Sequence, residues 1–214
     1  MVLRPARPAR RTMHSAATPF VLHHWKEGGR REQRSGWRGT SPEFGDIKVT
    51  SPLNPSSSES VVAEVRGGSI PTATFESRGI HAEVLTLPTL NRMTLRLGDA
   101  TVHTSRNRWA PTHRGRALRM RYGGDRYRLW AVNRRRYVLT RLPDGEDPGT
   151  RITVARSGRG RRRQIAVTVT GRAVAADITL AALFTGVDRS VLTRRGTVRA
   201  FVSRAFGLFA QTQY

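Results

Sequence analysis

The chain contains no cysteine among its 214 residues, which excludes disulfides, thiolate catalysis and zinc sites built on cysteine. Long hydrophobic runs are missing as well, because no apolar stretch approaches the roughly 20 residues of a membrane-spanning helix. The longest one, Val174–Phe184, is interrupted by Asp177 and Thr179. We therefore expect no transmembrane segment. The absence of cysteine suits a cytoplasmic protein.

Catalytic signatures are also missing. The sequence contains no nucleophile elbow, no His-Glu-x-x-His motif, no P-loop and no dinucleotide-binding fingerprint. Residues 93–214 hold only two histidines, His103 and His113, and two histidines without a nearby carboxylate make a weak metal site. We therefore expect a non-enzymatic protein without metal or cofactor. The enzymatic alternative requires a concave pocket around His103 or His113.

Lysine is almost absent, yet the chain is strongly basic. Lys26 and Lys48 are the only two lysines, so 36 of the 38 basic residues are arginine and the net charge is +23. Arginine stays charged in every environment and pairs bidentately with phosphate and carboxylate. Nucleic acid, an anionic lipid surface and an acidic protein are therefore the candidate partners. The alternative is codon bias, because a GC-rich, actinobacterial-type genome enriches Arg, Ala and Gly throughout a chain.

The two parts of the chain differ in composition. Residues 1–92 form a predicted low-order region rich in Gly, Pro, Ser and Arg, which buries too little apolar surface to offset its ordering entropy. Short apolar runs at Val61–Val65 and Ile80–Leu87 are candidates for marginal strands. Residues 93–214 hold 25 arginines and 7 acids, and their regular hydrophobic pattern predicts a folded domain.

The folded part is predicted to be a small antiparallel β-meander of about six strands or more. Ala117–Tyr122 alternates between apolar and basic residues, as a half-buried strand does, and Gly123-Gly124-Asp125 is a strong hairpin signal. Val174–Phe184 predicts a buried helix that Asp177 caps and Gly186 ends. Val198–Phe209 has the spacing of an amphipathic helix. This order of elements predicts the α+β class.

Turn order predicts a charge separation, because successive turns of an up-and-down meander alternate between the two ends of the sheet. The odd-numbered turns after Met93 contain acids: Asp99, Asp125, Asp144, Glu146 and Asp147. The even-numbered turns contain arginines: Arg106, Arg108, Arg114, Arg116, Arg134, Arg135, Arg136, Arg161, Arg162 and Arg163. These ten arginines are the predicted anion-binding residues, and the last six are the predicted core contacts.

The C-terminal half resembles a known family in the order of its elements. Tyr127–Val132, Tyr137–Leu142 and Gln164–Thr170 lead into the apolar segment Ala176–Phe184, which is similar to the last part of the tubby-like and scramblase-like β-barrels. The resemblance covers residues 93–186 and implies a barrel plugged by a hydrophobic helix. It departs from the family in having too few strands for a twelve-stranded barrel and in continuing to Tyr214. No functional residue transfers from it.

Together, these observations predict a non-enzymatic binding module with a basic pole for an anionic partner. The phosphates of nucleic acid are the first candidate partner. We expect little sequence preference, because the sequence contains no zinc finger, helix-turn-helix or aromatic RNA-binding motif. The alternative is a peripheral membrane module for anionic lipid, which is what the tubby-like resemblance implies through the phosphoinositide headgroups bound by some members. Neither the sequence specificity nor the oligomeric state is indicated.

Overall fold

The computed structural model describes residues 17–28, 34–52, 60–78, 90, 93–107, 110, 112 and 114–193. In this part of the chain, thirteen strands form one antiparallel sheet and a single α-helix follows the last strand. The elements are β1 (Phe20–Glu27), β2 (Arg34–Ser41), β3 (Gly45–Pro52), β4 (Ser60–Gly67), β5 (Ala73–Arg78), β6 (Met93–Leu97), β7 (Ala100–Thr101), β8 (His103–Ser105), β9 (Leu118–Tyr122), β10 (Asp125–Ala131), β11 (Arg136–Arg141), β12 (Thr150–Ser157), β13 (Gln164–Gly171) and α1 (Ala175–Leu183).

The sheet is a meander that curls into a nearly closed barrel. Consecutive strands pair with each other except β7 and β8, and β1 also pairs with β13, with Phe20 opposite Val167. The remaining two edges belong to one short segment of chain, since only Val102 separates β7 from β8. Its first part pairs with β6 and its second part pairs with β9. The segment therefore brings the two ends of the sheet next to each other.

Helix α1 fills the interior of the barrel. Its apolar side chains from Ala176 onward and the first residue of the following 3-10 turn (Phe184–Gly186) are buried, and Ile178, Leu180, Leu183 and Phe184 are fully so. The Phe184 ring meets the Phe75 ring of β5 edge to face, with 6.0 Å between the ring centroids. Burying each of these side chains contributes about 1.5–3 kcal/mol. The helix is thus the centre of the single hydrophobic core.

A buried ion pair fixes the start of the helix against the barrel wall. Arg141 of β11 donates its Nε to both carboxylate oxygens of Asp177, at 3.1 and 3.2 Å, and both side chains are about 1% exposed. The Asp177 Oδ2 also accepts the backbone N–H of Val174 at 3.0 Å, so this carboxylate caps the helix, as the sequence predicted. Buried charges are tolerated when they are paired and hydrogen-bonded in this way.

The rest of the Arg141 guanidinium is satisfied as well. Its Nη1 pairs with Asp147, and its Nη2 donates to Thr150 Oγ1 at 3.2 Å and to the Arg172 carbonyl at 2.7 Å. Burial raises the pKa of Asp177 above its ordinary value, and the charge of Arg141 opposes that rise. The network therefore joins the loop after β11 and the loop after β13 to the helix. Asp147, predicted as part of an acidic turn, is one of its members.

The α+β prediction is wrong, because the described chain is nearly all sheet, with thirteen strands in one nearly closed barrel and a single α-helix. Five strands lie between residues 20 and 78, within the predicted low-order region. The predicted boundary at residue 93 falls between β5 and β6, which pair directly, with Phe75 opposite Leu95. Val61–Val65 belongs to β4, as the marginal-strand alternative expected. The run Ile80–Leu87 and the amphipathic helix Val198–Phe209 lie outside the described residues.

The early strands escaped prediction partly because several of their inward positions carry small residues. Ser41 and Ser51 are 1% and 2% exposed and take positions where a sequence reading expects large apolar side chains. Ser51 Oγ donates to the Gly186 carbonyl at 3.3 Å. A Cβ added at Gly186 would lie only 2.7 Å from Ser51 Oγ, so a larger residue does not fit there. Because Ser51 on the barrel wall and Gly186 after the helix are both small, the end of the helical segment can contact the wall. Helix α1 then supplies the apolar side chains that fill this part of the core.

No helix in the described ranges combines the length and hydropathy needed to cross a membrane. The longest is α1, with nine residues, and its apolar surface is covered by the barrel. Its hydrophobicity therefore serves the protein core.

We expect Asp177→Ala to lower the free energy of unfolding by about 3–5 kcal/mol, because it leaves Arg141 buried without its main partner. The double change Arg141→Met with Asp177→Leu should cost less than the sum of the single changes, since it removes both buried charges. Urea denaturation followed by tryptophan fluorescence measures both. Glu146→Ala, an exposed acid in the loop that contains Asp147, is the matched control and should change stability little.

Candidate anion-binding site

The meander places the β8–β9, β10–β11 and β12–β13 loops at the same end of the barrel, since each follows a strand running in the same direction. The pairing of β1 with β13 brings a fourth segment there, because His23 lies opposite Gln164, next to the β12–β13 loop. The basic rim is defined here as the cationic residues of these segments that lie around the contact between β1 and β13. Its members are His24, Lys26, Arg134, Arg135, Arg136, Arg156, Arg162 and Arg163.

The β10–β11 loop is a tight turn that leaves its arginines in solvent. Asn133 Oδ1 accepts the backbone N–H groups of Arg135 and Arg136, both at 2.8 Å. Such side-chain bonds are the reason why asparagine favours turns. With the backbone satisfied locally, the side chains of Arg134, Arg135 and Arg136 are all exposed. The three guanidinium groups are thus displayed on a rigid turn.

The β12–β13 loop adds the second cluster of arginines. Gly160–Arg162 forms one 3-10 turn, and the side chain of Arg162 is exposed. Arg163 is half-buried, and its Nε donates to the Gly160 carbonyl at 2.8 Å. The side chain of Arg161 lies outside the described residues. A backbone hydrogen bond of 2.8 Å from Arg156 N–H to the Arg135 carbonyl connects this hairpin to the neighbouring loop.

Aromatic and imidazole rings support the inner side of the basic rim. The Arg156 guanidinium lies 5.3 Å from the ring centroid of Trp37, a cation–π contact. The Trp37 ring meets the His24 ring edge to face at 5.3 Å. His24 Nε2 lies 3.0 Å from Arg163 Nη2. Because a guanidinium can only donate, Nε2 must accept, and the imidazole in this arrangement is neutral.

Crowding of positive charge shifts the titration of these groups. Burial lowers the pKa of His24, and the charges of Arg163, Arg156 and Lys26 lower it further. Burial also lowers the pKa of Arg156, with contributions from Arg163 and Arg135. Within the described residues, none of these arginines forms an ion pair. The basic rim therefore holds several mutually repelling cations with which no carboxylate of the described residues pairs.

The β8–β9 loop contributes less than the sequence indicated. Arg116 is 5% exposed and directs its Nε at the Thr112 carbonyl, 3.5 Å away, so it is a structural side chain of the loop. Arg106 is half-buried, whereas Arg114 is exposed. Arg108 and the neighbouring Trp109 lie outside the described residues. The structure thus brings together described residues of the other two loops, and among the described arginines of this loop only Arg114 is displayed in the same way.

Sequence reasoning missed His24, Lys26, Trp37 and Arg156 as members of this site. His24 and Arg163 are 139 positions apart, and only the closure of the sheet between β1 and β13 joins them. The sequence does contain a signal for Arg156, because it lies two residues after Val154 and four after Ile152 and so falls on the inward-facing side of β12. An arginine at the last inward position of a strand points to the barrel mouth.

The enzymatic alternative required a pocket around a histidine, and one is present at His103. A concavity of about 390 Å³ lies beside β8, β9 and β10, and its lining contains no carboxylate. His113 lies outside the described residues. Among the residues that the structure describes, no group of three or more acids and histidines could hold a metal ion.

The chain was compared with protein-family models, with curated proteins and with solved structures, and none of them matches it significantly. The geometry and charge of the chain itself are therefore the guide to its function. Its two distinguishing features are a barrel built around a buried helix and a basic rim assembled from distant segments.

We expect stability to fall as the pH drops below about 6.5, the ordinary pKa of histidine, because His24 titrates below that value in the folded chain. The unfolded chain then takes up the proton first, so the contribution of neutral His24 is complete above pH 6.5. It is lost as the pH falls towards the folded-state pKa. Urea denaturation at several pH values measures this loss. His24→Gln should flatten the profile, and His23→Gln, on the exposed outer face, should not. Equal profiles for both variants would contradict the assignment.

Proposed function

We propose that the protein is a non-enzymatic binding module whose basic rim contacts the phosphates of nucleic acid. The carrying observation is that β12 and the two loops beside it bring Arg135, Arg156 and Arg163 close together: the Arg156 N–H bonds the Arg135 carbonyl, and the charges of Arg163 and Arg135 both lower the pKa of Arg156. No ion pair within the described residues neutralises this cluster. Like charges held this close repel each other, and an anionic partner relieves that repulsion. The proposal includes a cytoplasmic location, where nucleic acid is accessible.

The chemistry of the basic rim favours phosphate as the partner group. Arginine donates in a planar fork that matches two phosphate oxygens, and such charge-assisted bonds are about twice as strong as neutral ones. The exposed arginines lie on turns, where they reach a backbone more readily than the base edges inside a groove. Binding through phosphates fixes position and carries little sequence information. We therefore propose binding with weak sequence preference.

The test is fluorescence anisotropy with the full chain and a labelled mixed-sequence duplex at several salt concentrations. The variant changes Arg134, Arg135 and Arg162 to Gln, three exposed side chains without a described structural partner. We expect weaker binding and a salt dependence shallower by about 0.9 for each phosphate that the variant no longer neutralises. Arg163 and Arg156 are left unchanged because they pack against His24 and Trp37.

The matched control removes three charges elsewhere, by changing Arg38, Arg96 and Arg172 to Gln. These side chains are exposed and lie outside the basic rim. The control should retain the parent affinity and salt dependence nearly unchanged. If both variants bind the duplex equally weakly, attraction is diffuse and the basic rim is not the site. If the parent itself fails to bind the duplex, the nucleic acid proposal is wrong.

A second candidate function follows from the resemblance to the tubby-like barrels. The sequence had too few recognisable strands for such a barrel, whereas the structure has thirteen strands around a buried helix. Strand number and helix position support the resemblance, which implies a module for phosphoinositide headgroups. In this alternative the basic rim faces an anionic membrane surface, which attracts each nearby basic residue by about 1 kcal/mol.

Vesicle co-sedimentation separates the two candidates. The lipid alternative expects the full chain to pellet with vesicles that contain phosphatidylinositol bisphosphate and to stay in solution with neutral phosphatidylcholine vesicles. Loss of pelleting in the variant of Arg134, Arg135 and Arg162 would assign that binding to the basic rim. An equal distribution between pellet and supernatant for both vesicle types would exclude the lipid alternative.

A further inference from the structure

A second cationic cluster lies on the outer face of the barrel, on the hairpin of β9 and β10. Arg119 and Arg121 alternate with buried residues on β9, and Arg126 and Arg128 do the same on β10. The register places Arg119 opposite Arg128 and Arg121 opposite Arg126. Directly opposed like charges destabilise an antiparallel pair. Two such pairs side by side are therefore a cost that folding alone does not explain.

The turn of this hairpin fixes the arrangement. Gly123 and Gly124 both have positive φ, 54° and 87°, as a two-residue type I′ turn requires. This turn sets the register, so the four arginines form the corners of a rectangle. Its sides are about 5 Å across the strands and about 7 Å along them, from the usual spacings in a sheet. The arginine rectangle is the name used below for Arg119, Arg121, Arg126 and Arg128.

The arginine rectangle surrounds a concave surface. The concavity of about 390 Å³ is lined by these four side chains together with His103 and Ser105 of β8. His103 lies opposite Arg121 and Ser105 lies opposite Arg119, so β8 extends the same face by one strand. This volume lies within the range of roughly 300–1,000 Å³ that is usual for small-ligand sites.

The charge of this site is not neutralised by the described part of the chain. All four arginines are exposed, and no side-chain hydrogen bond or ion pair joins any of them to a described residue. The groove on the opposite side of the barrel differs, since its Arg66 pairs with Glu64 at 2.8 Å and its Thr40 donates to Asp46 at 2.6 Å. The other groove also opposes like charges, since Lys48 lies opposite Arg38 and Arg66, but carboxylates pair with two of its three cations. The arginine rectangle is therefore a cationic surface that no described carboxylate pairs with, and an anionic ligand would balance it.

We propose that the arginine rectangle binds a compact oligophosphate, the phosphate chain of a triphosphate. Four guanidinium groups at these spacings match a ligand with several negative charges in a small volume, and a single carboxylate or phosphate leaves most of the charge unbalanced. Each phosphate can accept a bidentate pair of bonds from one arginine. His103 and Ser105 supply further hydrogen-bonding groups at one edge. The phosphate chain can be inorganic or part of a nucleotide.

The test is titration calorimetry of the full chain with sodium triphosphate at near-physiological salt. The variants are Arg121→Gln with Arg126→Gln, and Arg119→Gln with Arg128→Gln. Each should weaken binding about tenfold or more, because each removes two charge-assisted contacts. The control, Arg38→Gln with Arg66→Gln, removes the same charge from the opposite groove and should stay within about twofold of the parent, because salt screens distant charges.

Further ligands and variants identify the recognised chemistry. Equal affinity for triphosphate and ATP would show that the phosphate chain alone is bound, and tighter binding of ATP would show that the nucleoside contributes. Both results support the proposal when orthophosphate binds much more weakly. Arg121→Lys with Arg126→Lys keeps the charge and loses the planar fork, so its affinity should lie between those of the parent and the Gln variant.

Thermal unfolding controls for folding. Without ligand, the Gln variants should melt at or above the parent Tm because they relieve opposed like charges. Triphosphate should raise the Tm of the parent and not of these variants. The basic-rim variant of Arg134, Arg135 and Arg162 should bind triphosphate normally, so the two sites succeed or fail separately. No triphosphate binding by the parent, or equally weakened binding in the Arg38 and Arg66 control, would overturn the proposal.

Discussion

The ion pair between Arg141 and Asp177 is the interaction on which the rest of the structure depends. It holds the first turn of α1 against β11 while the same carboxylate caps the helix through the Val174 N–H. Without the helix, the inner face of the barrel would lose much of its apolar filling, because some inward positions of the early strands carry serine, as at Ser41 and Ser51. By holding the helix inside the barrel, the ion pair allows the strands and the helix to form one continuous hydrophobic core.

Closure of the barrel also determines where positive charge accumulates. The alternation of turns gathers the basic loops at one end, and the pairing of β1 with β13 adds His24 and Lys26 to them. The neutral imidazole of His24 accepts from Arg163, and Trp37 lies against Arg156. Rings and backbone bonds, which carry no negative charge, hold the arginines in place. Their charge therefore stays available to a partner.

The outer face of the barrel shows a different use of arginine. On the β9–β10 hairpin the register places like charges opposite each other, where a typical sheet pairs opposite charges or polar residues. A genome that favours arginine explains a high arginine content, but it does not explain two opposed pairs around a concave surface. The groove on the other side of the barrel holds two arginines, Arg38 and Arg66, both opposite Lys48, but Arg66 pairs with Glu64 and Lys48 pairs with Glu27. The arginine rectangle differs because no described carboxylate pairs with its four cations.

The sequence by itself determined the absence of cysteine chemistry, the buried helix with its Asp177 cap, and the strands of the C-terminal half, because these follow from local periodicity and turn residues. It also showed which turns carry arginine. Tertiary structure alone decided that residues 20–78 contribute five strands, since inward serines are acceptable only where a helix from elsewhere in the chain fills the space. It alone decided that His24 meets Arg163. Contacts between strands far apart in the chain depend on barrel closure, and no local pattern encodes that closure.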